Sequence, residues 1–441
     1  MDTRMDQDTV NRALLIAYHY PPVQISSGVQ RTLAFSQGLP AKGWQPMVLT
    51  AHPRAYETTN EGQLKDIPPQ TIVTRAQAWD TARHLSISGR YLDVMALPDR
   101  WSSWWLGAVL AGWRLIRRHR PRVIFSTYPI ATAHLIGLTL HRLTGLPWIA
   151  DFRDSMTEEG YPRENRRRRF FLWLEKKAIH ACSRAIFTTP GAIRMYRERY
   201  PDVPDERWQL IPNGYNEEIF ADVERELSAR DSKNQGGGVS KSTKEKLTLV
   251  HSGVLYPSER DPRAFFAALA DLKQQGVINA DNLMIVLRAT GHDSLFQPML
   301  VEQGIDDIVT LEPGIDYRAA LAEMLQADGL LIFQASNCNH QIPAKLYEYF
   351  RAQKPVMALT DANGDTAATL REAGLNCIAA LNQREEIASH LHQFLTQIQT
   401  GKAEIADLRV TEKYSRQAGA VILAGLFDEI AECSSEVNAQ A

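Results

Sequence analysis

Short apolar runs alternate with longer amphipathic stretches along the chain, and this alternation starts twice. Six strand-like runs occupy the first half: Ala13–Ala17, Met47–Thr50, Val123–Ser126, Trp148–Ala150, Ala185–Thr188 and Gln209–Ile211. Six more occupy the second half: Leu247–His251, Leu283–Arg288, Ile308–Leu311, Gly329–Phe333, Val356–Leu359 and Cys377–Ala380. Short apolar runs separated by segments of helical length indicate parallel strands that are buried on both faces. The two series therefore predict two doubly wound α/β domains.

Polar segments set the expected domain boundaries. We place a first domain at residues 1–213 and a second at residues 214–410, with the crossing at Asn213-Gly214. Residues 228–246 are rich in Gly, Ser and Lys and almost free of apolar side chains, which predicts a mobile loop. A helix is expected from residue 411 to about 432, and the segment 411–441 is expected to pack back on the first domain.

Composition and charge exclude several classes of protein. The chain has 441 residues, of which 44% are hydrophobic and 23% charged, as in ordinary globular proteins. Its formal net charge is −2, whereas a global nucleic-acid binder is usually strongly basic, so no nucleic-acid partner is expected. No apolar run reaches the roughly 18 residues that a membrane helix needs, and the N-terminus is polar, so we expect a cytoplasmic protein. The four cysteines form no CxxC pair, which predicts neither a zinc site nor a disulfide framework.

Two segments of the first domain follow predicted strands, at the edge where open α/β sheets bind ligands. Residues 20–31 read YPPVQISSGVQR, and Gly28 near the start of a helix would let a phosphate approach the backbone. The alternative is an ordinary strand-to-helix turn capped by serine. Residues 150–155 read ADFRDS, in which Asp151, Arg153 and Asp154 could bind sugar hydroxyls or act as acid or base. The alternative is an internal Asp–Arg pair that fixes the loop.

Two further segments lie in the second domain. Residues 251–261 read HSGVLYPSERD, where Gly253 permits close approach of a ligand and Arg260 could reach an anion. The alternative is a surface Arg–Asp pair. In residues 341–350, QIPAKLYEYF, Lys345 and Glu348 share a helix face, so Lys345 could neutralise phosphate while Glu348 accepts hydrogen bonds from ribose. The alternative here is a surface salt bridge worth only about 0.2–0.5 kcal/mol.

Two stretches combine aromatic and basic residues, which suits an anionic membrane surface or single-stranded nucleic acid. The alternative is that the aromatic rings are core and the arginines a solvated face. We interpret the tryptophans of the first stretch as core and the arginine run of the second as a contact with a phosphate-rich surface. The residues are Trp101, Trp104, Trp105 and Trp113 in the first stretch, and Arg166, Arg167, Arg168 and Arg169 in the second.

Taken together, these segments resemble the family 4 glycosyltransferases of the GT-B fold, which are retaining enzymes that use nucleotide sugars. The resembling segments run in order along the chain: PPVQISSGVQR, VIFSTYP, ADFRDSM, AIFTTP, LIPNGYNEEIF, HSGVLYPSERDP and IPAKLYEYFRAQKPVMAL. The resemblance implies two Rossmann-like domains facing across a cleft and an enzyme of the hexosyltransferase type. The DFRD variant resembles members that build bacterial cell-surface polysaccharide or lipopolysaccharide, which would place the protein at the inner face of the plasma membrane.

The resemblance also implies roles for individual residues. A UDP- or GDP-sugar would be held mainly by the second domain, without a metal, and a glycan or lipid-linked acceptor mainly by the first. The implied donor contacts are Glu348 to the ribose, Arg260 and Lys345 to the diphosphate, Gly314 and Ile315 to the base, and Gly28 to the phosphates. Gly253 is also assigned to the donor site. Asp151 and Asp154 would lie near the sugar or the acceptor hydroxyl, with Arg153 and the Arg166–Arg169 run on the acceptor and membrane side.

One position departs from the family pattern. Many members carry a glutamate eight positions before the one matched by Glu348, and here that position is His340. The contact to the transferred sugar is therefore assigned to His340. This departure keeps open a non-catalytic scaffold that binds a sugar nucleotide. A GT-B sugar-nucleotide epimerase, which would change the donor without an acceptor, is a third possibility.

Overall fold

The computed structural model describes residues 10–24, 26–86, 90–158, 160–234 and 246–440. Contacts divide the chain into two compact units. The first unit ends at Asn213 and resumes at Arg416, and the second is Gly214–Ser415. Each unit contains one parallel sheet with helices packed on it, so the prediction of two doubly wound α/β domains is confirmed.

The first unit has a seven-stranded parallel sheet in the order β3-β2-β1-β4-β5-β6-β7. Its strands are β1 (Asn11–Ile16), β2 (Trp44–Ala51), β3 (Ile72–Ala76), β4 (Val123–Thr127), β5 (Trp148–Arg153), β6 (Arg184–Phe187) and β7 (Trp208–Leu210). Its helices before the crossing are α1 (Ser26–Gly38), α2 (Thr81–His84), α3 (Trp104–His119), α4 (Ala131–Thr144), α5 (Asn165–Ala181) and α6 (Pro190–Arg199). The sequence pattern misses β3, because this strand pairs only with β2 at the sheet edge and its side chains are mostly half-buried.

The second unit has a six-stranded parallel sheet in the order β10-β9-β8-β11-β12-β13. Its strands are β8 (Leu247–Ser252), β9 (Leu283–Arg288), β10 (Val309–Glu312), β11 (Gly329–Phe333), β12 (Val356–Leu359) and β13 (Ile378–Ala379). Its helices are α7 (Glu217–Asn234), α8 (Arg263–Gln274), α9 (Asp293–Glu302), α10 (Tyr317–Gln326), α11 (Lys345–Arg351), α12 (Asp365–Glu372), α13 (Arg384–Gln399) and α14 (Leu408–Lys413). All six strands coincide with apolar runs of the sequence.

Strand β11 shows why these runs are continuous. Successive side chains of a strand point to opposite faces of the sheet. Leu331 and Phe333 pack in the core layer on one face, while Leu330 and Ile332 pack in the layer on the other. Because helices cover both faces, every position of the strand must be apolar.

The expected mobile loop at 228–246 is wrong in its first part. Helix α7 continues to Asn234, since residues 228–234 contain neither Gly nor Pro. Within this helix the Ser228 hydroxyl donates a hydrogen bond to the carbonyl oxygen of Glu224 at 2.9 Å. The rest of the expected loop, residues 235–245, lies outside the described residues.

The last predicted helix is two helices, α14 and α15 (Arg416–Gln440), separated by Tyr414 and Ser415. The break occurs where the Tyr414 ring packs on Tyr347 of the second unit, with ring centroids 4.6 Å apart. Helix α15 belongs to the first unit, in which Phe427 packs against Trp44 at a centroid distance of 5.1 Å. The unit boundary therefore falls after Ser415 and not at residue 411, because Tyr414 anchors α14 to the second unit.

Candidate active site

The strand order of each sheet reverses at one point, which is where open α/β sheets bind ligands at their carboxyl ends. In the second unit the reversal lies between β8 and β11. Gly253 directly follows β8, while Lys345 opens the helix that follows β11. Two residues that the sequence analysis assigns to donor binding, Gly253 and Lys345, therefore lie at the strand reversal of the second sheet.

Lys345 and the buried His251 are hydrogen-bonded to each other. His251 Nδ1 lies 2.8 Å from the Leu331 carbonyl oxygen, and His251 Nε2 lies 3.2 Å from Lys345 Nζ. Because a carbonyl only accepts, Nδ1 carries the proton and Nε2 accepts from Lys345. Burial, together with the charge of Lys345, holds the pKa of His251 well below its ordinary value. The imidazole is therefore a neutral acceptor that orients the amine.

Gly253 makes room for the Lys345 amine. Its φ is +121°, a conformation that side chains rarely adopt, and a Cβ at this position would lie 2.8 Å from Lys345 Nζ. The glycine that the sequence assigns to a ligand thus also allows the closest approach of the lysine to the end of β8.

Arg260 is the second cation at this edge of the sheet. Its Nη1 donates to the Val254 carbonyl oxygen at 3.0 Å, and its guanidinium carbon lies 5.7 Å from the centre of the Tyr256 ring. Burial, and then the charge of Arg260, lower the pKa of Lys345 to about 7, while Glu348 acts in the opposite direction. Two cations that repel each other in a partly buried place favour the binding of an anion.

Glu348 lies one turn along α11 from Lys345. Its Oε1 accepts a hydrogen bond of 2.7 Å from the hydroxyl of Tyr317, the first residue of α10. Gly314 and Ile315 precede this helix and are exposed, directly beyond the end of β10. Sequence reasoning missed Tyr317, which links the acidic residue to the loop that contains Gly314.

His340 lies in a half-buried turn between β11 and α11. The buried Gln334 holds the backbone on both sides of this turn, since its Nε2 donates to the carbonyl oxygens of Cys338 and Gln341 at 3.0 and 2.9 Å. The neighbouring Asn339 donates to Asp361 Oδ2 at 2.8 Å. The turn that presents His340 is therefore fixed by polar contacts that the sequence pattern did not reveal.

Asp151, assigned to the acceptor by the resemblance, has a different environment in the first unit. Its side chain is fully buried and forms two hydrogen bonds of 2.9 Å with the Arg31 guanidinium, while Thr127 donates a third of 2.7 Å. Arg31 also donates to the carbonyl oxygens of Ile211 and Pro212. Because the hydrogen-bonding groups of both side chains are satisfied within the protein, Asp151 and Arg31 form a structural ion pair. The expectation that Asp151 lies near the sugar or the acceptor hydroxyl is therefore wrong.

Asp154 and Arg153 lie at the end of β5. Asp154 is exposed, whereas Arg153 is buried with a φ of +59° and donates to the Tyr128 carbonyl oxygen at 3.3 Å. Near them, a Cβ at Gly28 would lie 2.4 Å from His19 Nδ1, so the glycine is required by the imidazole. Burial, and then the charge of Arg153, lower the pKa of His19 to about 4. Sequence reasoning missed His19, which no motif marks.

The arginine run of α5 divides into two groups. Arg166 and Arg169 are exposed, but Arg168 donates to the carbonyl oxygens of Glu158 and Tyr161, and Arg167 lies 3.9 Å from the Glu164 carboxylate. The expectation of a four-residue surface contact is therefore wrong for Arg168, because its side chain folds back onto the preceding loop.

The tryptophans of the first aromatic stretch are mostly core, as predicted. Trp104 is fully buried, and Trp101 and Trp105 are partly buried against the same core. Trp113 is 37% exposed, with the Arg117 guanidinium 4.6 Å from its ring centre. The prediction that the tryptophans of this stretch are core is therefore wrong for Trp113.

The described residues contain neither a metal-binding cluster nor a membrane-spanning helix. No group of three or more His, Cys, Asp or Glu side chains in these residues is placed to hold a metal ion. None of the helices in the described part of the chain is both long and apolar enough to cross a membrane.

Residues 27–214 match the model of a glycosyl transferase 4-like domain. Three solved structures are similar over nearly their whole length: sucrose-phosphate synthase from Thermosynechococcus elongatus, Anabaena HepE in complex with UDP and glucose, and trehalose 6-phosphate synthase from Burkholderia multivorans. Their TM-scores are 0.65, 0.62 and 0.63, at 16%, 13% and 11% sequence identity. The matches cover 96%, 95% and 97% of this chain and 100%, 100% and 98% of those chains.

No curated protein matches the chain in sequence. At such low identity the similar structures establish the fold, and the domain match covers less than half of the chain. The chain has the GT-B fold, and the resemblance to family 4 glycosyltransferases that its sequence predicts is confirmed.

Proposed function

We propose that the protein is a retaining glycosyltransferase of the hexosyltransferase type. It would move a sugar from a UDP- or GDP-sugar to a glycan or lipid-linked acceptor in cell-surface polysaccharide or lipopolysaccharide synthesis. The observation that carries the proposal is the placement of Lys345 near a second cation, Arg260, and beside Gly253, at the strand reversal of the second sheet. The name of one similar structure, HepE with UDP and glucose, supports a nucleotide-sugar donor.

The proposed mechanism uses the charges at this site. As the bond between sugar and phosphate breaks, negative charge grows on the diphosphate, and Lys345 and Arg260 stabilise it. The acceptor oxygen forms the new bond to the anomeric carbon on the face that the phosphate leaves, and the leaving phosphate takes the proton of the acceptor hydroxyl, so no carboxylate nucleophile and no metal are needed. Glu348 accepts hydrogen bonds from the ribose, Gly314 and Ile315 flank the base, and His340 contacts the sugar. Asp154, which is exposed at the end of β5, is the remaining acid on the acceptor side.

A panel of sugar nucleotides tests the proposal. We expect UDP-glucose, UDP-N-acetylglucosamine or GDP-mannose to raise the melting temperature, and the preferred donor to be consumed with release of nucleoside diphosphate. The Lys345→Ala variant should give a smaller rise in melting temperature and should release nucleoside diphosphate on the order of a hundredfold more slowly. A scaffold would bind without any release, and an epimerase would change the configuration of the donor sugar with no acceptor present, as NMR of the donor would show. Either outcome would contradict a transferase.

Donor affinity should depend on pH through Lys345. In the protein without a bound donor the Lys345 amine has a pKa of about 7. Because only the protonated amine attracts the pyrophosphate, the lysine must take up a proton on binding whenever the pH lies above this pKa. The affinity for UDP-glucose should therefore be constant below pH 7 and fall by up to about tenfold per pH unit above it. Calorimetric titration from pH 6 to pH 9 measures this. The Lys345→Arg variant should remove the dependence, and a flat wild-type profile would contradict the role of Lys345.

We further propose that α5 contacts an anionic membrane surface. Its exposed residues recur every three to four positions and form one face: Arg166, Arg169, Leu172, Trp173, Lys176 and Lys177. Leu172 and Trp173 are large apolar side chains exposed between the basic ones, a combination that suits the boundary between headgroups and acyl chains. Anionic headgroups supply the charge that these basic residues complement.

Flotation with liposomes measures the proposed contact. Each basic residue near an anionic surface contributes about 1 kcal/mol, so Arg166→Gln/Arg169→Gln should weaken binding to phosphatidylglycerol vesicles roughly thirtyfold. The matched control is Arg225→Gln/Arg230→Gln on α7, in the second unit, which should bind like the wild type. Equal binding of wild type and the α5 variant would contradict the contact.

A further inference from the structure

We propose that the first unit holds a subsite for an anionic saccharide, built from aromatic rings and guanidinium groups. The inference deepens the proposed function, because this subsite would receive the acceptor. The subsite is a cavity of about 560 Å³ whose lining residues all belong to the first unit. Its walls are the loops that follow β3, β4 and β5 together with the start of α5, so it lies at the carboxyl edge of the sheet. Cavities of this size, lined by rings with a few polar groups, are typical of small-molecule sites.

Aromatic side chains form the apolar part of the cavity. Trp101, Tyr128 and Tyr161 line it from three different loops. Tyr161 is 51% exposed, while Trp101 is anchored by Tyr18, with ring centroids 4.8 Å apart. The C–H faces of a pyranose are apolar and flat, so they can pack against such rings while the hydroxyls remain available for hydrogen bonds.

Guanidinium groups give the cavity its charge preference. Arg163 is exposed and has no carboxylate partner in the described part of the chain, and Arg167 Nε has no hydrogen bond there. Arg100 also lines the cavity, but it is paired with Asp80 at 2.8 Å. The planar fork of a guanidinium pairs well with phosphate or carboxylate oxygens. Arg163 therefore favours a negatively charged sugar.

The acidic residues that line the cavity do not cancel this preference. The oxygens of Asp99 accept hydrogen bonds from Thr132 N and Oγ1 at 2.8 and 2.9 Å and from Trp101 N at 3.0 Å. Glu164 is exposed and lies 3.9 Å from Arg167, a distance at which a solvated pair contributes little. Asp99 and Glu164 both lie close enough to offset the charge of Arg167, so Arg163 is the guanidinium that sets the preference.

The cavity is connected to the end of β5. Tyr128, which lines it, accepts a hydrogen bond through its carbonyl oxygen from Arg153, and the exposed Asp154 is the next residue. A saccharide that occupies the cavity would therefore lie near the strand end that carries Asp154, although Asp154 itself does not line the cavity. This continuity is the reason for assigning the cavity to the acceptor.

Binding of simple sugars to the full-length protein tests the inference. The probes are glucose 6-phosphate, glucuronate, neutral glucose and inorganic phosphate, followed by saturation-transfer NMR and calorimetry. We expect both anionic sugars to bind about tenfold more tightly than glucose and than phosphate alone. Comparison of the phosphate and carboxylate sugars shows which anion the site prefers.

Variants separate the two parts of the site. Arg163→Ala should abolish the preference for anionic over neutral sugar, and Tyr161→Ala should weaken all the sugars about tenfold. Arg142→Ala and Leu143→Ala, at exposed positions of α4 outside the cavity, are the matched controls and should bind like the wild type. Sugars that bind without preference for the anion, or binding that survives both cavity variants, would overturn the inference.

The same samples distinguish this inference from the proposed function. Both cavity variants should retain the thermal shift that UDP-glucose gives the wild type, because neither residue belongs to the donor unit. Donor turnover without the expected saccharide binding would overturn the subsite alone. Saccharide binding of the expected pattern, with no donor bound or consumed, would overturn the transferase and leave the subsite supported.

Discussion

Replacing Lys345 or Arg260 with alanine should lower the turnover of the nucleotide-sugar donor by on the order of a hundredfold each. Removing one preorganised hydrogen-bonding group from a site where negative charge develops typically lowers the rate by a factor of about 10²–10³. Lys345 meets this description because His251 and Gly253 fix the position of its amine, and Arg260 is near enough to lower its pKa. Steady-state release of nucleoside diphosphate from the preferred donor measures the effect.

The distribution of the loss between kcat and KM identifies the role. Charge that grows only in the transition state affects kcat, whereas a contact made equally to the bound donor affects KM alone. Suitable controls are Lys273→Ala and Arg263→Ala, which remove cations paired with Asp307 and Asp261 at the surface. Both controls should turn over at the wild-type rate. Rates near wild type for Lys345→Ala and Arg260→Ala would refute the assignment of the diphosphate to them.

The sequence pattern predicted most strands of the two sheets because a strand that is buried on both faces consists of consecutive apolar residues. Leu330, Leu331, Ile332 and Phe333 are all buried, so the strand is visible without any knowledge of its neighbours. The missed strand β3 contains Thr74 and Arg75 and pairs on one side only, so its sequence is not a continuous apolar run. Element type was thus predictable where the apolar run is continuous, including the edge strands β10 and β13, and was not predictable in β3, where Thr74 and Arg75 interrupt the run.

The candidate site was predictable where its residues are close in sequence. Lys345 and Glu348 fall on one short helix, and their spacing alone indicates a shared face. The contacts that orient them were not predictable in this way. His251 lies 94 residues before Lys345, and Tyr317 lies 31 residues before Glu348, so only the folded sheet brings them together.

Replacing Asp151 with alanine should lower the free energy of unfolding of the first unit by about 3–5 kcal/mol, the usual cost of leaving one partner of a buried ion pair uncompensated. Arg31 is itself buried and would lose both of its hydrogen bonds to the carboxylate, although it would keep those to Ile211 and Pro212. Urea unfolding followed by circular dichroism measures the change. The effect belongs to folding rather than to chemistry because no oxygen of Asp151 is exposed.

Two companion variants decide whether Asp151 is structural. Asp154→Ala removes an exposed carboxylate three residues later and should change the free energy of unfolding by no more than about 0.5 kcal/mol. Arg31→Met/Asp151→Leu replaces the pair by apolar side chains and should recover much of the stability, since a buried pair and its apolar substitute are often equivalent. If Asp151→Ala unfolds like the wild type but loses turnover, the acid acts in the reaction after all. A loss of stability that the double variant restores, with turnover restored alongside it, assigns Asp151 to the ion pair that joins β5 to α1 and to the end of the first unit's sheet.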